Sequence, residues 1–247
     1  MKNYLFSIFI WIWALIMQLT MFPVALTIWL LTVLFDKKLL VLHQFSCFWA
    51  SQHIWISPFW KLDIKGRKNI KWGKEYVMVS NHQSMLDILL LYNLFRHFKW
   101  VSKAENFKIP CAGWNMSLNR YIKLRRGDRK SIFQMIKDSL DTLKKGNSIL
   151  IFPEGTRSKT GNLQSFKDGA FAIAHKSKKP ILPIVLDGTA KALPKNGFIF
   201  EAKQILTVRI FEEIPYEKFK DLSLKETSDM VRSIISNELD KIRKNEL

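Results

Sequence analysis

The feature that most constrains this chain is an uncharged stretch of 33 residues at positions 3–35. As a helix it would be roughly 50 Å long at about 1.5 Å per residue, whereas the hydrocarbon core of a bilayer is about 30 Å thick. The stretch is longer than the apolar region of a signal peptide, and no small-residue cleavage site follows it. A buried helix of a soluble core is the alternative, but it would need a larger protein around it. We therefore expect a membrane helix, and the sequence leaves open whether it spans or re-enters the bilayer.

A second apolar segment, at residues 39–60, follows a short charged break and is interleaved with polar side chains. Amphipathic aromatic side chains favour the membrane–water interface. The tryptophans of this segment are Trp49, Trp55 and Trp60. We expect a helix at the interface, packed on the first one, with His43 and His53 as interfacial side chains rather than metal ligands. Residues 1–60 are thus predicted to form a two-helix membrane anchor.

The charge of the chain is concentrated in its middle. The net charge is +18, and residues 61–200 hold 27 Lys and Arg against 10 Asp and Glu. Such a block attracts polyanions: nucleic acid, anionic lipid headgroups or phosphorylated small molecules. Charge alone does not choose among them. The two cysteines exclude a disulfide framework and indicate a reducing compartment, so we expect this block on the cytoplasmic side of an inner or cytoplasmic membrane.

Past residue 61 the apolar runs shorten and alternate between strand-like and helix-like periods. Strands are predicted at residues 76–79, 98–101, 148–152, 181–186 and 205–211. Helices are predicted at residues 85–95, 129–145, 166–175 and 223–244, the last with Ser223 and Glu226 as a capping box. This alternation predicts an α/β domain over residues 61–247, with a mixed, largely parallel sheet covered by helices.

His82 and Asp87 lie where the first predicted strand passes into a helix. Open α/β sheets place ligands at the carboxyl ends of their strands. A histidine in such a loop can turn its Nδ1–H to a carboxylate in the first helical turn, which leaves Nε2 as a base. Ser84 is the candidate N-cap of the helix. The alternative is that Asp87 only caps the helix and His82 is an incidental loop residue.

A second strand ends in the polar turn Phe152-Pro153-Glu154-Gly155-Thr156-Arg157-Ser158. Arg157 offers a fork of donors suited to phosphate oxygens, and Gly155 permits close backbone approach to a ligand. Glu154 is positioned either to orient Arg157 or to brace the loop near His82. An ordinary strand–turn with a surface ion pair is the alternative.

Further basic residues lie between these two motifs. They include Lys103, Arg125 and Arg126. The two arginines are either a solvated face or contacts to a polyanion. Cys111 follows a proline and has no histidine near it in sequence, so we expect a small buried apolar residue rather than a nucleophile.

Together these segments resemble the glycerolipid acyltransferase superfamily, and most of all its 1-acylglycerol-3-phosphate acyltransferases. Four blocks match in order: Asn81-His82-Gln83-Ser84-Met85-Leu86-Asp87; Lys103 with Pro110, Gly113 and Arg126; Phe152 to Ser158; and Leu182-Pro183-Ile184-Val185. The second block departs from the family pattern, because Leu124 stands where arginine is usual. The choice of Arg126 over Arg125 therefore stays open.

The resemblance implies roles for these residues. His82 would be the general base and Asp87 its orienting partner. Lys103, Arg126 and Arg157 would contact phosphate, and Glu154, Gly155 and Thr156 would shape the acceptor site. No metal and no cofactor are expected.

The reaction implied is transfer of a fatty acyl group from acyl-CoA or acyl-acyl carrier protein to lysophosphatidic acid, which gives phosphatidic acid at a lipid bilayer. Glycerol 3-phosphate or another lysophospholipid is the alternative acceptor. A membrane-tethered, non-enzymatic polyanion binder is the rival from another class. It predicts basic residues interleaved with exposed aromatics, whereas the arginines here follow strand ends, and no nucleic-acid partner is expected.

Overall fold

The computed structural model describes residues 2–158 and 160–244, which form a seven-stranded sheet with helices on both faces. The strands are β1 (Trp60–Lys65), β2 (Val77–Ser80), β3 (Phe98–Lys103), β4 (Ile122–Leu124), β5 (Ser148–Ile151), β6 (Ile181–Asp187) and β7 (Gln204–Ile210). The helices are α1 (Lys2–Thr32), α2 (Leu40–Trp55), α3 (Leu86–Tyr92), α4 (Ala112–Leu118), α5 (Arg129–Lys144), α6 (Gly169–Ser177), α7 (Thr189–Ala192) and α8 (Leu224–Lys244).

The strand order is β1-β7-β6-β2-β5-β3-β4. Strands β2 to β6 all run parallel, whereas β7 pairs antiparallel with β6 and β1 runs parallel to β7. The predicted mixed, largely parallel sheet is therefore confirmed. Because five neighbouring strands share one direction, their carboxyl ends lie along one edge of the sheet, where the polar motifs begin.

The centre of the sheet is buried on both faces, as expected for parallel strands flanked by helices. Every residue of β2, β5 and β6 is buried. Residues of α2 and α3 pack on one face, against Met78 and Leu150. Residues of α5, α6 and α8 pack on the other, against Val77 and Ile149.

The predicted strands and helices are present, with shifts of a few residues at their ends. The capping box of α8 is formed as predicted: Ser223 N–H donates to Glu226 Oε2 at 2.7 Å, and Glu226 N–H donates to Ser223 Oγ at 3.2 Å. The prediction missed β1, β4, α4 and α7. Strand β1 lies at the sheet edge, and most of its residues are exposed or half-exposed. Its charged side chains therefore interrupt the alternation of apolar and polar residues by which a strand is predicted.

Helix α1 is long and apolar enough to cross a membrane. Only three of its 31 residues are buried, namely Ser7, Ile10 and Ala25. The helix nevertheless contacts the rest of the protein at separate positions along its length. Trp11 Nε1 donates to Phe198 O at 2.9 Å, and the rings of Phe22 and Trp114 lie 5.3 Å apart.

Helix α2 corrects part of the predicted anchor. It packs between α1 and α3, and it ends at Trp55 rather than at residue 60. The interfacial placement of His43 and His53 is wrong, because both are buried inside the protein. His43 contacts the hydroxyl of Tyr121 at 2.9 Å and the carbonyl of Arg96 at 3.0 Å.

Among the tryptophans of this segment, only Trp55 is exposed; Trp49 and Trp60 are buried. An apolar stripe of α2 does remain exposed, formed by Val41, Phe48 and Trp55. One face of the helix thus belongs to the core, and another is available to a partner outside the chain.

Candidate active site

The carboxyl edge of the parallel strands gathers the polar residues singled out in the sequence, together with Asp187, which the sequence analysis did not predict. In spatial order the edge carries Asp187 at the end of β6, His82 after β2, Glu154 to Arg157 after β5, Lys103 at the end of β3 and Arg126 after β4. Residues far apart in sequence therefore become neighbours because of the strand order.

His82 and Asp87 are in direct contact. His82 Nδ1 lies 2.8 Å from Asp87 Oδ2, and the carboxylate is fully buried. The same oxygen accepts the backbone N–H groups of Gln83 at 2.6 Å and Ser84 at 2.8 Å. These donors hold the carboxylate against the imidazole. An Nδ1–H directed at a carboxylate leaves the lone pair on Nε2.

The flat face of the imidazole packs against an aromatic ring. The ring of His82 stacks on Phe152, with centroids 4.0 Å apart and planes at 9°. The side chain is 10% exposed, and within the described residues Nε2 has no hydrogen-bond partner. The geometry therefore orients a ring nitrogen, Nε2, that can accept a proton from a hydroxyl.

Ser84 does not cap α3 in the way expected. The helix begins at Leu86, and the hydroxyl of Ser84 donates to Leu193 O at 2.6 Å while accepting the N–H of Leu86 at 3.3 Å. The hydroxyl thus ties the start of α3 to the chain that follows α7.

Glu154 braces the loop of His82, which is the second of the two roles expected for it. Its Oε1 accepts the backbone N–H of His82 at 2.6 Å, and its Oε2 accepts both the backbone and the side-chain N–H of Gln164, at 3.0 and 3.1 Å. Burial raises the pKa of Glu154, while these hydrogen bonds oppose the rise. Three donors on one buried carboxylate make it a rigid support.

The turn after β5 depends on Gly155, whose φ is +69°. A Cβ atom there would lie 3.0 Å from the side chain of Lys167. Lys195 secures the next two residues, since its Nζ donates to Arg157 O at 2.6 Å and to Thr156 Oγ1 at 3.2 Å. Lys195 was not predicted from the sequence.

Arg126 and Arg157 are electrostatic neighbours across the ends of β4 and β5. Partial burial lowers the pKa of Arg126; the Glu105 carboxylate opposes this, and the Arg157 guanidinium lowers the pKa further. Lys103, on the strand between them, lies 3.6 Å from Glu105 and is 41% exposed. These cations form a concentration of positive charge of the kind that attracts an anionic group.

Several supporting residues were not foreseen. The side-chain amide of Asn81 donates to Leu186 O and accepts from Leu186 N–H, both at 2.8 Å, so it continues the pairing of β2 with β6. Thr189 donates to Asp87 Oδ1. Asn81 lies within the recognised motif, but no local pattern marks Thr189. Cys111 is buried among apolar residues, as predicted. Within residues 2–158 and 160–244, no three His, Cys, Asp or Glu side chains cluster as a metal site.

Comparison with known proteins gives a consistent family. The family model for acyltransferases matches residues 61–187. A 1-acyl-sn-glycerol-3-phosphate acyltransferase of Chlamydomonas reinhardtii is 34% identical over 235 residues, which are 94% of this chain and 70% of that protein. The chloroplastic 1-acyl-sn-glycerol-3-phosphate acyltransferase LPAT1 of Arabidopsis thaliana is 44% identical over 167 residues, 67% of this chain and 46% of that protein. The chain thus spans about half the length of this plant relative.

The fold also matches a solved structure. The crystal structure of the 1-acyl-sn-glycerophosphate acyltransferase PlsC from Thermotoga maritima superposes with a TM-score of 0.83 at 24% identity, covering 98% of this chain and 96% of that one. At this identity the likeness establishes the fold.

Proposed function

Because the chain belongs to the acyltransferase family, we propose that it transfers a fatty acyl group from a thioester to 1-acylglycerol 3-phosphate and forms phosphatidic acid. The names of its relatives support this acceptor. The observation that carries the proposal is the contact of His82 with the buried Asp87, which leaves Nε2 free at the edge of the sheet that also carries Arg126 and Arg157.

In the proposed reaction His82 is the general base. Nε2 takes the proton of the free hydroxyl as its oxygen attacks the thioester carbonyl carbon, and Asp87 stabilises the imidazolium that forms. The tetrahedral intermediate collapses with cleavage of the C–S bond, and the imidazolium returns the proton to the leaving thiolate. The products are the new ester and a free thiol, and no covalent acyl-enzyme forms.

The phosphate of the acceptor is held by the basic residues of the neighbouring strands. Arg126, Arg157 and Lys103 supply charge-assisted donors, and the braced turn at Glu154, Gly155 and Thr156 shapes the site around the glycerol. Fixing the phosphate places the hydroxyl against Nε2, and this proximity is a large part of the catalytic effect. The proximity of Arg126 to Arg157 favours it over Arg125 as the arginine of the second motif.

The acyl donor is coenzyme A-linked or acyl carrier protein-linked, and the reaction needs no metal or cofactor. Acyl transfer between a thioester and an alcohol involves no redox change, and its proton transfers need only one base that is reprotonated in each cycle. Both donors present the same thioester to His82. Separate assays with acyl-CoA and with acyl-acyl carrier protein show which of them the protein uses.

The exposed apolar faces of α1 and α2, within residues 1–60, anchor the protein to the bilayer, and residues 61–247 contribute the catalytic domain. Because α1 contacts the rest of the protein both at Trp11 and about three turns further on at Phe22, we propose that it lies along the membrane surface with its apolar face in the lipid. Exposed apolar side chains lie on three segments: Leu15 and Leu19 on α1, Phe48 on α2, and Phe198 in the chain before β7. The free thiols of Cys47 and Cys111 fit a cytoplasmic location.

The test is thiol release from acyl-CoA and from acyl-acyl carrier protein by the purified protein, with lysophosphatidic acid, glycerol 3-phosphate or no acceptor. We expect release that depends on lysophosphatidic acid, and a His82→Ala variant that stays folded but loses about 10²–10⁴-fold in kcat. Near wild-type transfer by that variant would refute the role of His82. Salt-dependent binding of an oligonucleotide without thiol release would refute the enzyme and support a polyanion binder.

A further inference from the structure

The carboxylate of Asp87 is held by more than the histidine loop. Its Oδ2 accepts three hydrogen bonds, from His82, Gln83 and Ser84. Its Oδ1 accepts one, from the hydroxyl of Thr189. Both Asp87 and Thr189 are completely buried, so within the described residues this hydroxyl is the partner that satisfies Oδ1.

Thr189 reaches Asp87 through the strand order of the sheet. The two residues are 102 positions apart, but β6 lies next to β2, and Thr189 follows directly on the turn after β6. Gly188 makes this turn with a φ of +83°, and a Cβ atom there would lie 2.0 Å from the carbonyl oxygen of Ile205. The turn is therefore pressed onto β7, which gives the Thr189 hydroxyl little freedom to move.

We propose that Thr189 is a positioning residue for acyl transfer, which sets the rotation of the Asp87 carboxylate so that Oδ2 faces His82 Nδ1. The inference rests on the proposed function. Without the hydroxyl, Oδ1 would be a buried charged oxygen with no donor, which is costly. The rotation of the carboxylate would then be set by the contacts of Oδ2 alone, with Oδ1 free to tilt. The histidine would lose its fixed orientation although no residue that contacts substrate had changed.

This role requires a hydroxyl and not the shape of threonine. Valine has nearly the same volume but cannot donate, whereas serine keeps the donor and loses only a methyl group. Thr227 provides a matched control, because it too is completely buried and donates its hydroxyl, in α8 on the far side of the sheet from α3.

The kinetic experiment compares Thr189→Val, Thr189→Ser and Thr227→Val with the wild type, at saturating lysophosphatidic acid and acyl donor. Loss of one hydrogen bond to a charged group predicts that Thr189→Val lowers kcat by about 10–100-fold. The KM of both substrates should stay unchanged. Thr189→Ser should restore most of kcat, and Thr227→Val should leave it at the wild-type value. Thr189→Val at wild-type kcat, or Thr189→Ser as slow as Thr189→Val, would overturn the proposal.

A double-mutant cycle separates positioning from a general loss of structure. If Thr189 acts through Asp87, then Thr189→Val should have no further effect on kcat in an Asp87→Ala background. Equal fold losses in both backgrounds would show that Thr189 acts independently of Asp87 and would overturn the proposal.

A measurement without substrate distinguishes failure of this inference from failure of the proposed function. The proton on His82 Nδ1 should give a downfield ¹H resonance, assigned by its absence in His82→Ala. We expect this resonance to shift or broaden in Thr189→Val and to persist in Thr189→Ser. If the resonance is unchanged in Thr189→Val, the positioning role is overturned, even when the wild-type enzyme turns over as proposed. A wild type without turnover whose resonance responds as expected would refute only the proposed function.

Discussion

The carboxylate of Glu154 accepts a 2.6 Å hydrogen bond from the backbone N–H of His82, 72 positions away in sequence. The carbonyl of His82 in turn accepts the N–H of Ser158 at 2.8 Å. The turn after β5 thus holds the backbone of His82 from both sides. The position of the imidazole is therefore set by a neighbouring strand end as well as by its own loop.

Removing the charge of Glu154 should weaken this support. In Glu154→Gln the amide NH₂ faces one of the three N–H donors now bound by the carboxylate, so at least one buried donor loses its acceptor. We expect kcat to fall by about tenfold or more and the thermal unfolding midpoint to drop. Kinetics and thermal unfolding in detergent measure this, with the exposed Glu212→Gln as control. A variant with unchanged kcat would show that the brace is dispensable.

Substitution of the clustered arginines should act on the acceptor. Arg157→Ala and Arg126→Ala each remove a charge-assisted donor, and we expect each to raise the KM for lysophosphatidic acid by about tenfold or more. The KM for the acyl donor should change little. Arg125→Ala is the matched control, because it removes the adjacent arginine. Initial-rate kinetics with each substrate varied in turn give both KM values. A change confined to the KM for the acyl donor would contradict the assignment.

The exposed face of α1 should determine membrane affinity. Leu15 and Leu19 are each 61% exposed, and inserting a leucine side chain into lipid contributes about 1.5–3 kcal/mol. Replacing both by serine should therefore lower vesicle binding by at least tenfold. Flotation with liposomes of mixed zwitterionic and anionic lipids measures it. Phe133→Ser removes an exposed aromatic from α5, on the opposite face of the sheet, and should bind as the wild type does. Equal loss in both variants would argue against a specific lipid-facing helix.

Stability should decline in mild acid because of buried histidines. Burial, followed by the charge of Lys99, lowers the pKa of His97 from 6.5 to about 4, although a hydrogen bond to Asn147 opposes the shift. Burial likewise lowers the pKa of His43. Between pH 6.5 and about 4 the unfolded chain binds protons that the folded chain does not, so stability is lost as pH falls through this window.

The variant His97→Gln should flatten that decline, because the glutamine amide can still donate to Asn147 Oδ1 and carries no titrating group. Unfolding midpoints measured from pH 7.5 to pH 4.5 provide the comparison. A decline in His97→Gln as steep as in the wild type would assign the acid sensitivity to other groups.

Much of the local structure follows from the sequence. The apolar period predicts α5 and α8, the Ser223–Glu226 pair predicts the cap of α8, and short apolar runs that stop at polar motifs predict β2 and β5. Local signals succeed here because hydrophobic period, capping and strand termination depend on residues only a few positions apart.

The sequence alone determined the α/β class, the apolar N-terminal helix and the chemistry of the motifs, because these depend on composition and on neighbours along the chain. The tertiary structure alone decided that α2 lies between α1 and α3 with His43 in the core, and that Thr189 meets Asp87 across 102 positions. Such contacts depend on the order of strands in the sheet, which is selected by how all the apolar faces pack together and which no short segment encodes.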